Sequence, residues 1–234
     1  MRRTVAPQLP LALRYPPDQR FETFVGAAAA IATLRALCEG VGDWTYLDGA
    51  AGTGKTHLAL AACAQAEADA RTAAYLPLAT AAGRLGEALQ ALEGRDLVAL
   101  DGLEAIAGAR DDEIALFDFH NRARAAGVAV LYTARAAPAG LPLSLPDLAS
   151  RLSQCVRIAL PVLDDDGRAE VLRLRARRRG LQFDEAAIAW LLRHAGRDLA
   201  GLAAHLDALD RASLAAQRRI TVPFLREVLG PDAR

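Results

Sequence analysis

A chain of 234 residues that is 53% hydrophobic and 24% charged has the apolar material for an α/β domain of about 160 residues plus a small appendix. That composition reads as a globular chain with a sizeable core. The 28 basic and 28 acidic residues cancel to a formal net charge of +0, so no global field exists to hold nucleic acid or an anionic membrane.

Residues 1–20 have neither helical nor strand periodicity and read as an extended arm. Arg2 and Arg3 imitate the start of a secretion signal, but Pro7, Pro10 and Arg14 interrupt any apolar core. Gln8-Leu9-Pro10-Leu11-Ala12-Leu13 suits an extended peptide filling a groove on another protein, or equally a tail packed on its own domain. Residues 21–25 lead into an Ala/Leu-rich helix over 27–38, closed by Gly40, and 44–47 reads as a buried strand. After a Gly-rich loop come a helix over 57–67, a strand over 73–76, a helix over 81–92 and a strand over 96–100. A helix over 111–126 precedes strands over 128–133 and 155–160. Such alternation predicts a parallel sheet covered on both faces, with a strand order that periodicity does not reveal. Beyond residue 164 only helices are readable, over 166–179, 184–194 and 199–217, with a short last segment at Pro223. The expected division is an arm over 1–20, a nucleotide-binding α/β domain over 21–162 and a helical domain over 163–234. Cys38, Cys63 and Cys155 are odd in number and lack a CxxC spacing, which suits reduced thiols in a cytoplasmic protein. No run approaches the ~18 apolar residues of a membrane span.

The chemistry centres on Gly49-Ala50-Ala51-Gly52-Thr53-Gly54-Lys55-Thr56, a glycine, four free residues, then Gly-Lys-Thr, between a strand and a helix. Backbone N–H groups of such a loop and the following helix end cradle phosphate. Lys55, the only lysine among the 28 basic residues, would reach the β- and γ-phosphates, and Thr56 would ligate Mg²⁺. Asp101 ends the apolar strand Leu97-Val98-Ala99-Leu100 and reads as a carboxylate holding Mg²⁺ partly through water, or as a turn aspartate before Gly102. Gly102 stands where many related ATPases place a second carboxylate that sets up the attacking water, and Glu104 is expected to leave the strand end in another direction. Weak or absent hydrolysis by the chain alone follows. Thr133 ends its strand within reach of a γ-phosphate, or is a β-branched strand residue. Arg151 lies beyond Leu145-Pro146-Asp147-Leu148-Ala149-Ser150 and is either a surface charge or an arginine offered to a neighbour's phosphate. Arg197 likewise reads as a surface charge or as a cation folding back over the nucleotide.

Together these stretches resemble the AAA+ family in its DnaA-related branch, and most closely the short regulatory members that inactivate DnaA. Phe21-Glu22-Thr23-Phe24-Val25 is similar to the box ahead of the first helix, Gly49 to Thr56 to Walker A, and Leu97 to Asp101 to Walker B. Thr133 is similar to sensor 1, Leu145 to Leu152 to the arginine-finger box, and Gly196-Arg197-Asp198-Leu199 to sensor 2. The resemblance implies a five-stranded parallel sheet in the order 5-1-4-3-2 with a helical lid. It further implies ADP or ATP with Mg²⁺ at Gly49, Gly52, Thr53, Gly54, Lys55, Thr56, Asp101 and Arg197. Gln8, Leu9, Leu11 and Leu13 are similar to the motif that docks on the sliding clamp, the beta subunit of DNA polymerase III. The implied function is stimulation, by Arg151 in trans with Thr133 at sensor 1, of the hydrolysis of DnaA-bound ATP, which restrains initiation of chromosomal replication. The implied partners are the clamp, DnaA and other copies of the chain. The chain stops just after the lid, so no sequence-specific DNA binding is expected of it. The alternative from another class is a DNA-remodelling ATPase or helicase loader that turns over its own ATP. Two departures stand out: Gly102 in Walker B, and Ala134 where DnaA-like chains often carry Asp.

Overall fold

Short apolar runs alternating with helices build a five-stranded sheet of β1 (Thr45–Asp48), β2 (Ala73–Pro77), β3 (Leu97–Asp101), β4 (Ala129–Ala134) and β5 (Val156–Ala159). A computed structural model describes residues 19–194, 199–216 and 219–230. Gln8, Leu9, Leu11, Leu13 and Arg197 lie outside these. The strand order is β2-β3-β4-β1-β5 and every pair is parallel, which is the expected order read from the opposite edge.

Strand side chains alternate between faces, so register decides which helices each residue meets. The register Leu47↔Thr133, Ala99↔Leu131 and Ala73↔Leu97 puts Leu47, Leu97, Ala99 and Leu131 on one face, packed against α1 (Ala28–Glu39) and α2 (Lys55–Ala68). The intervening positions, including Tyr46, Val98, Leu100, Val130 and Tyr132, face α3 (Leu85–Gln90), α4 (Arg110–Ala125) and α5 (Pro146–Ser153). Both faces are therefore apolar, and strands such as β4, buried along their whole length, carry no polar alternation.

Helix α3 is shorter than the expected 81–92 span. Gly83 adopts φ +80°, and the N–H groups of Gly83 and Leu85 donate to the buried Asp112 carboxylate at 2.7 and 3.2 Å, so the helix starts after that turn under a cap borrowed from α4. The next residue of α4, Glu113, is fully buried and accepts from the N–H of Gly108 (2.6 Å), Ser144 (3.0 Å) and Leu145 (2.7 Å) and from the Ser144 hydroxyl (2.9 Å). Burial pushes its pKa up, but these four donors prevail and hold the carboxyl below its ordinary 4.5. Since Leu145 and Pro146 begin α5, Glu113 sets where that helix starts.

The C-terminal helices α6 (Asp165–Arg178), α7 (Glu185–His194), α8 (Leu199–Ala216) and α9 (Val222–Leu229) bury an apolar cluster of their own around Leu172, Trp190, Leu191, Leu206 and Phe224. The Asp164 carboxylate caps α6 by accepting from the Gly167 N–H at 2.8 Å. Among the described residues no helix is long and apolar enough to cross a membrane.

Candidate functional site

Beyond Asp48 the chain leaves the sheet and turns directly into α2. Gly52 and Gly54 take φ +80° and +93°, a left-handed backbone that glycine adopts without strain. Contact demands glycine at two positions as well: a Cβ on Gly49 would meet the Leu160 carbonyl oxygen at 2.7 Å, and one on Gly54 would meet Phe24 Cε2 at 2.5 Å. Gly54 caps α2 without a side-chain partner, so the first N–H groups of the helix are left for a ligand in the loop. Lys55, only 8% exposed, donates from Nζ to the carbonyls of Gly49 (2.6 Å) and Ala50 (2.8 Å). Burial draws its pKa below the usual 10.5, while the Glu104 and Asp101 carboxylates push it back up.

Asp101 collects three hydroxyl groups. Thr56 Oγ1 and the Tyr75 hydroxyl donate to Oδ2 at 2.8 and 2.7 Å, and Thr133 Oγ1 donates to Oδ1. The Thr133 oxygen in turn accepts the Gly102 N–H at 3.0 Å. Sheet register explains the convergence, since Asp101, Thr133 and Tyr75 all fall on the face that packs against α2. Gly102 has φ +85°, so the position after Asp101 holds a backbone conformation in which a side chain would be strained. Glu104 is turned to the end of β4, where it accepts the Arg135 N–H (3.1 Å) and pairs with the Arg135 guanidinium (3.1 Å).

The donor set suits a magnesium polyphosphate. Mg²⁺ prefers hard oxygen ligands and is commonly held by one or two carboxylates with substrate phosphates, and the Thr56 hydroxyl and Asp101 carboxylate supply such a pair beside the loop. Among the described residues no group of three or more His, Cys, Asp or Glu side chains forms an all-protein cage.

Arg151 does not join this group. It sits in the last turn of α5, just before β5 begins, whereas the loop follows the end of β1. In a parallel sheet these are opposite ends of the strands, separated by the four residues of β1, or about 13 Å of rise.

The roles of three neighbours of the loop escape sequence reasoning. Tyr75 looks like strand filler; its only signal is that it shares parity with the α2-facing positions. The Phe24 ring covers Gly54 and meets His57 edge-on at 5.2 Å. His57 Nε2 lies 2.9 Å from the Arg20 carbonyl and 3.2 Å from Thr23 Oγ1, fastening residues 20–24 to the first turn of α2. Asp48, at the end of β1, is also engaged, accepting Arg157 Nε and Nη2 at 2.7 and 2.9 Å.

Residues 165–229 match the family described as Hda, lid domain. In fold the chain is similar to domain III of the Thermotoga maritima replication initiation protein DnaA, with TM-score 0.80 and 18% identity over 97% of this chain and 100% of that one. It is similar to AMPPCP-bound DnaA from Aquifex aeolicus, with TM-score 0.69 and 21% identity over 83% of this chain and 65% of that one. The Thermotoga maritima RuvB Holliday junction branch migration motor shares the fold too, with TM-score 0.67 and 17% identity over 90% of this chain and 71% of that one. The chain thus has the fold of DnaA domain III, and its C-terminal helices match an Hda-type lid.

Proposed function

We propose that the chain is a regulatory AAA+ protein of replication initiation that stimulates hydrolysis of ATP held by DnaA while docked on the DNA-loaded sliding clamp. Its own phosphate loop takes ADP or ATP: the glycines at 49, 52 and 54 admit the phosphates, Thr53 shapes the turn by donating to the Ala50 carbonyl at 3.0 Å, and Lys55 exchanges its two carbonyl contacts for phosphate oxygens. Thr56 and Asp101 hold Mg²⁺, which when bound neutralises charge between the phosphates. Thr133 orients Asp101 through its hydroxyl, and Arg197 closes the lid over the nucleotide. The Gln8, Leu9, Leu11 and Leu13 motif supplies the clamp contact.

One observation carries the proposal. The arginine of the finger box lies at the opposite end of the strands from the chain's own loop, a placement that supports its serving a neighbouring module rather than its own phosphates. Gly102 supports the same division of labour, because it puts no water-activating carboxylate beside Asp101, and its left-handed backbone (φ +85°) disfavours any side chain there. The test is a mixture of this chain, ATP-loaded DnaA and DNA-loaded clamp, in which conversion to ADP is followed. Arg151→Ala is expected to keep its fold, its nucleotide and its clamp contact yet lose most of a stimulation that trans arginines elsewhere raise by ~10³ to 10⁵. Arg151→Lys is expected to fail as well, for want of the planar fork. Wild-type conversion by Arg151→Ala would refute the proposal.

A further inference from the structure

Arg151 shares its end of the sheet with a second arginine. Asp43, Trp44, His120, Asn121, Arg124 and Arg151 line one narrow pocket where β1, β4 and β5 begin. Trp44 forms its floor: the ring is 6% exposed, and its indole N–H donates to the Val128 carbonyl at 2.8 Å. Arg124, from the last turn of α4, lies over that ring with its guanidinium carbon 5.3 Å from the centroid. Stacking fixes the guanidinium plane and leaves its N–H edge for another partner.

Among the described residues neither the Arg124 nor the Arg151 guanidinium has a hydrogen bond or an ion pair, whereas Arg122, on the same helix, is paired with Glu93 at 3.1 Å. Two exposed guanidinium groups from separate helices thus converge on a pocket whose one carboxylate is Asp43. Behind them His120 is buried against Trp44, with Nδ1 3.0 Å from the Tyr132 hydroxyl. Burial, and then the charges of Arg151 and Arg124, bring its pKa down to about 4, so it is neutral near pH 7 and the arginines are the pocket's cations. Two like charges gathered with no ion pair to either repel, and a polyanion entering between them relieves the repulsion.

We propose that Arg124 is a second trans-acting cation, which closes together with Arg151 on the polyphosphate of a nucleotide held by the neighbouring AAA+ module. This deepens the function proposed above and rests on the reading of Arg151 given there. A role confined to covering Trp44 would make the charge of Arg124 dispensable; contact with phosphate makes it essential.

The experiment compares Arg124→Gln, Arg124→Lys and Arg151→Ala in the mixture of ATP-loaded DnaA and DNA-loaded clamp. The maximal stimulated rate and the half-saturating DnaA concentration are read separately, alongside melting temperature and the chain's own ADP affinity. Arg124→Gln is expected to lower the maximal rate by roughly tenfold to a hundredfold with melting and ADP affinity unchanged, and Arg124→Lys to recover part of it. A wild-type maximal rate for Arg124→Gln beside an inactive Arg151→Ala overturns the second cation and leaves the first. Loss of rate in Arg124→Gln and Arg124→Lys alike, with a lowered melting temperature, also overturns it in favour of packing on Trp44. Full stimulation by Arg151→Ala removes the reading on which both arginines depend.

Discussion

Glu113→Gln tests how the arginine-bearing helix is held. In the wild type each carboxylate oxygen takes two donors, Oε1 from Gly108 and Ser144 N–H, Oε2 from the Ser144 hydroxyl and Leu145 N–H. A glutamine keeps one acceptor oxygen and turns an NH₂ toward the other two donors, whichever way the amide is flipped. With the NH₂ at the Oε2 position the Ser144 hydroxyl can turn to accept, so one hydrogen bond to a charged acceptor is lost on that flip and two on the other, at about 1.5–3 kcal/mol each, for a cost of about 1.5–6 kcal/mol less whatever local relaxation recovers. That is a large share of the about 5–15 kcal/mol that holds a typical domain together. The assay is urea denaturation followed by the fluorescence of Trp44, in a Trp190→Phe background so that only the α/β core reports. The sign of the pH dependence is set by the direction of the shift. Because the folded carboxyl lies below its ordinary 4.5, its contribution is complete above that value and disappears as pH falls through the folded pKa. Glu113→Gln should therefore be less stable at pH 7 and lack that part of the acid limb. A loss below about 1 kcal/mol at pH 7, with an acid limb like the wild type's, would refute the view that this carboxylate holds the start of α5.

Asp101→Asn is expected to abolish the Mg²⁺ dependence of nucleotide affinity, checked by calorimetric titration with and without the metal, because a neutral amide is a poor ligand and forces at least one of the three hydroxyl contacts to reverse or break. Gly54→Ala forces a methyl into the Phe24 ring and a side chain into left-handed backbone; a loss of roughly 1–2 kcal/mol by thermal melting and weaker ADP binding are the expected result. Leu11→Ala with Leu13→Ala should eliminate capture by immobilised clamp, at ~1.5–3 kcal/mol per buried leucine, while ADP affinity stays at the wild-type value.

The sheet was legible because its strands are short apolar runs between helices, and the phosphate loop because its residue spacing is rare in a chain with one lysine. Asp101 could be picked out as the carboxylate at a strand end, and Thr133 by its place at another. Strand order and the trans role proposed for Arg151 came from family resemblance, since neither periodicity nor composition orders parallel strands. What stayed hidden depends on register and on contacts distant in sequence. Tyr75 reaches Asp101 only because β2 and β3 pair with Pro77 opposite Asp101. Glu113 serves donors 31 and 32 residues further along, and Asp112 caps a helix 27 residues back, pairings that no local pattern announces. Helix 81–92 was overextended because its apolar spacing continues through Gly83, whose backbone turns the other way. Arg124 was invisible as one arginine among many until Trp44 and Arg151 were found beside it.

The burial of Lys55 gives the protein a built-in reporter. The other 27 of the 28 Lys and Arg residues are arginines, so amine-directed reagents have one side-chain target, and a lysine-specific protease has one bond to cut, between Lys55 and Thr56. With Nζ tied to two loop carbonyls and 8% of the residue exposed, both reactions are slow unless the loop opens. Acylation or cleavage at that single position thus measures opening of the phosphate loop in the unlabelled chain, and the same measurement can be made with the clamp, DnaA or nucleotide added in turn.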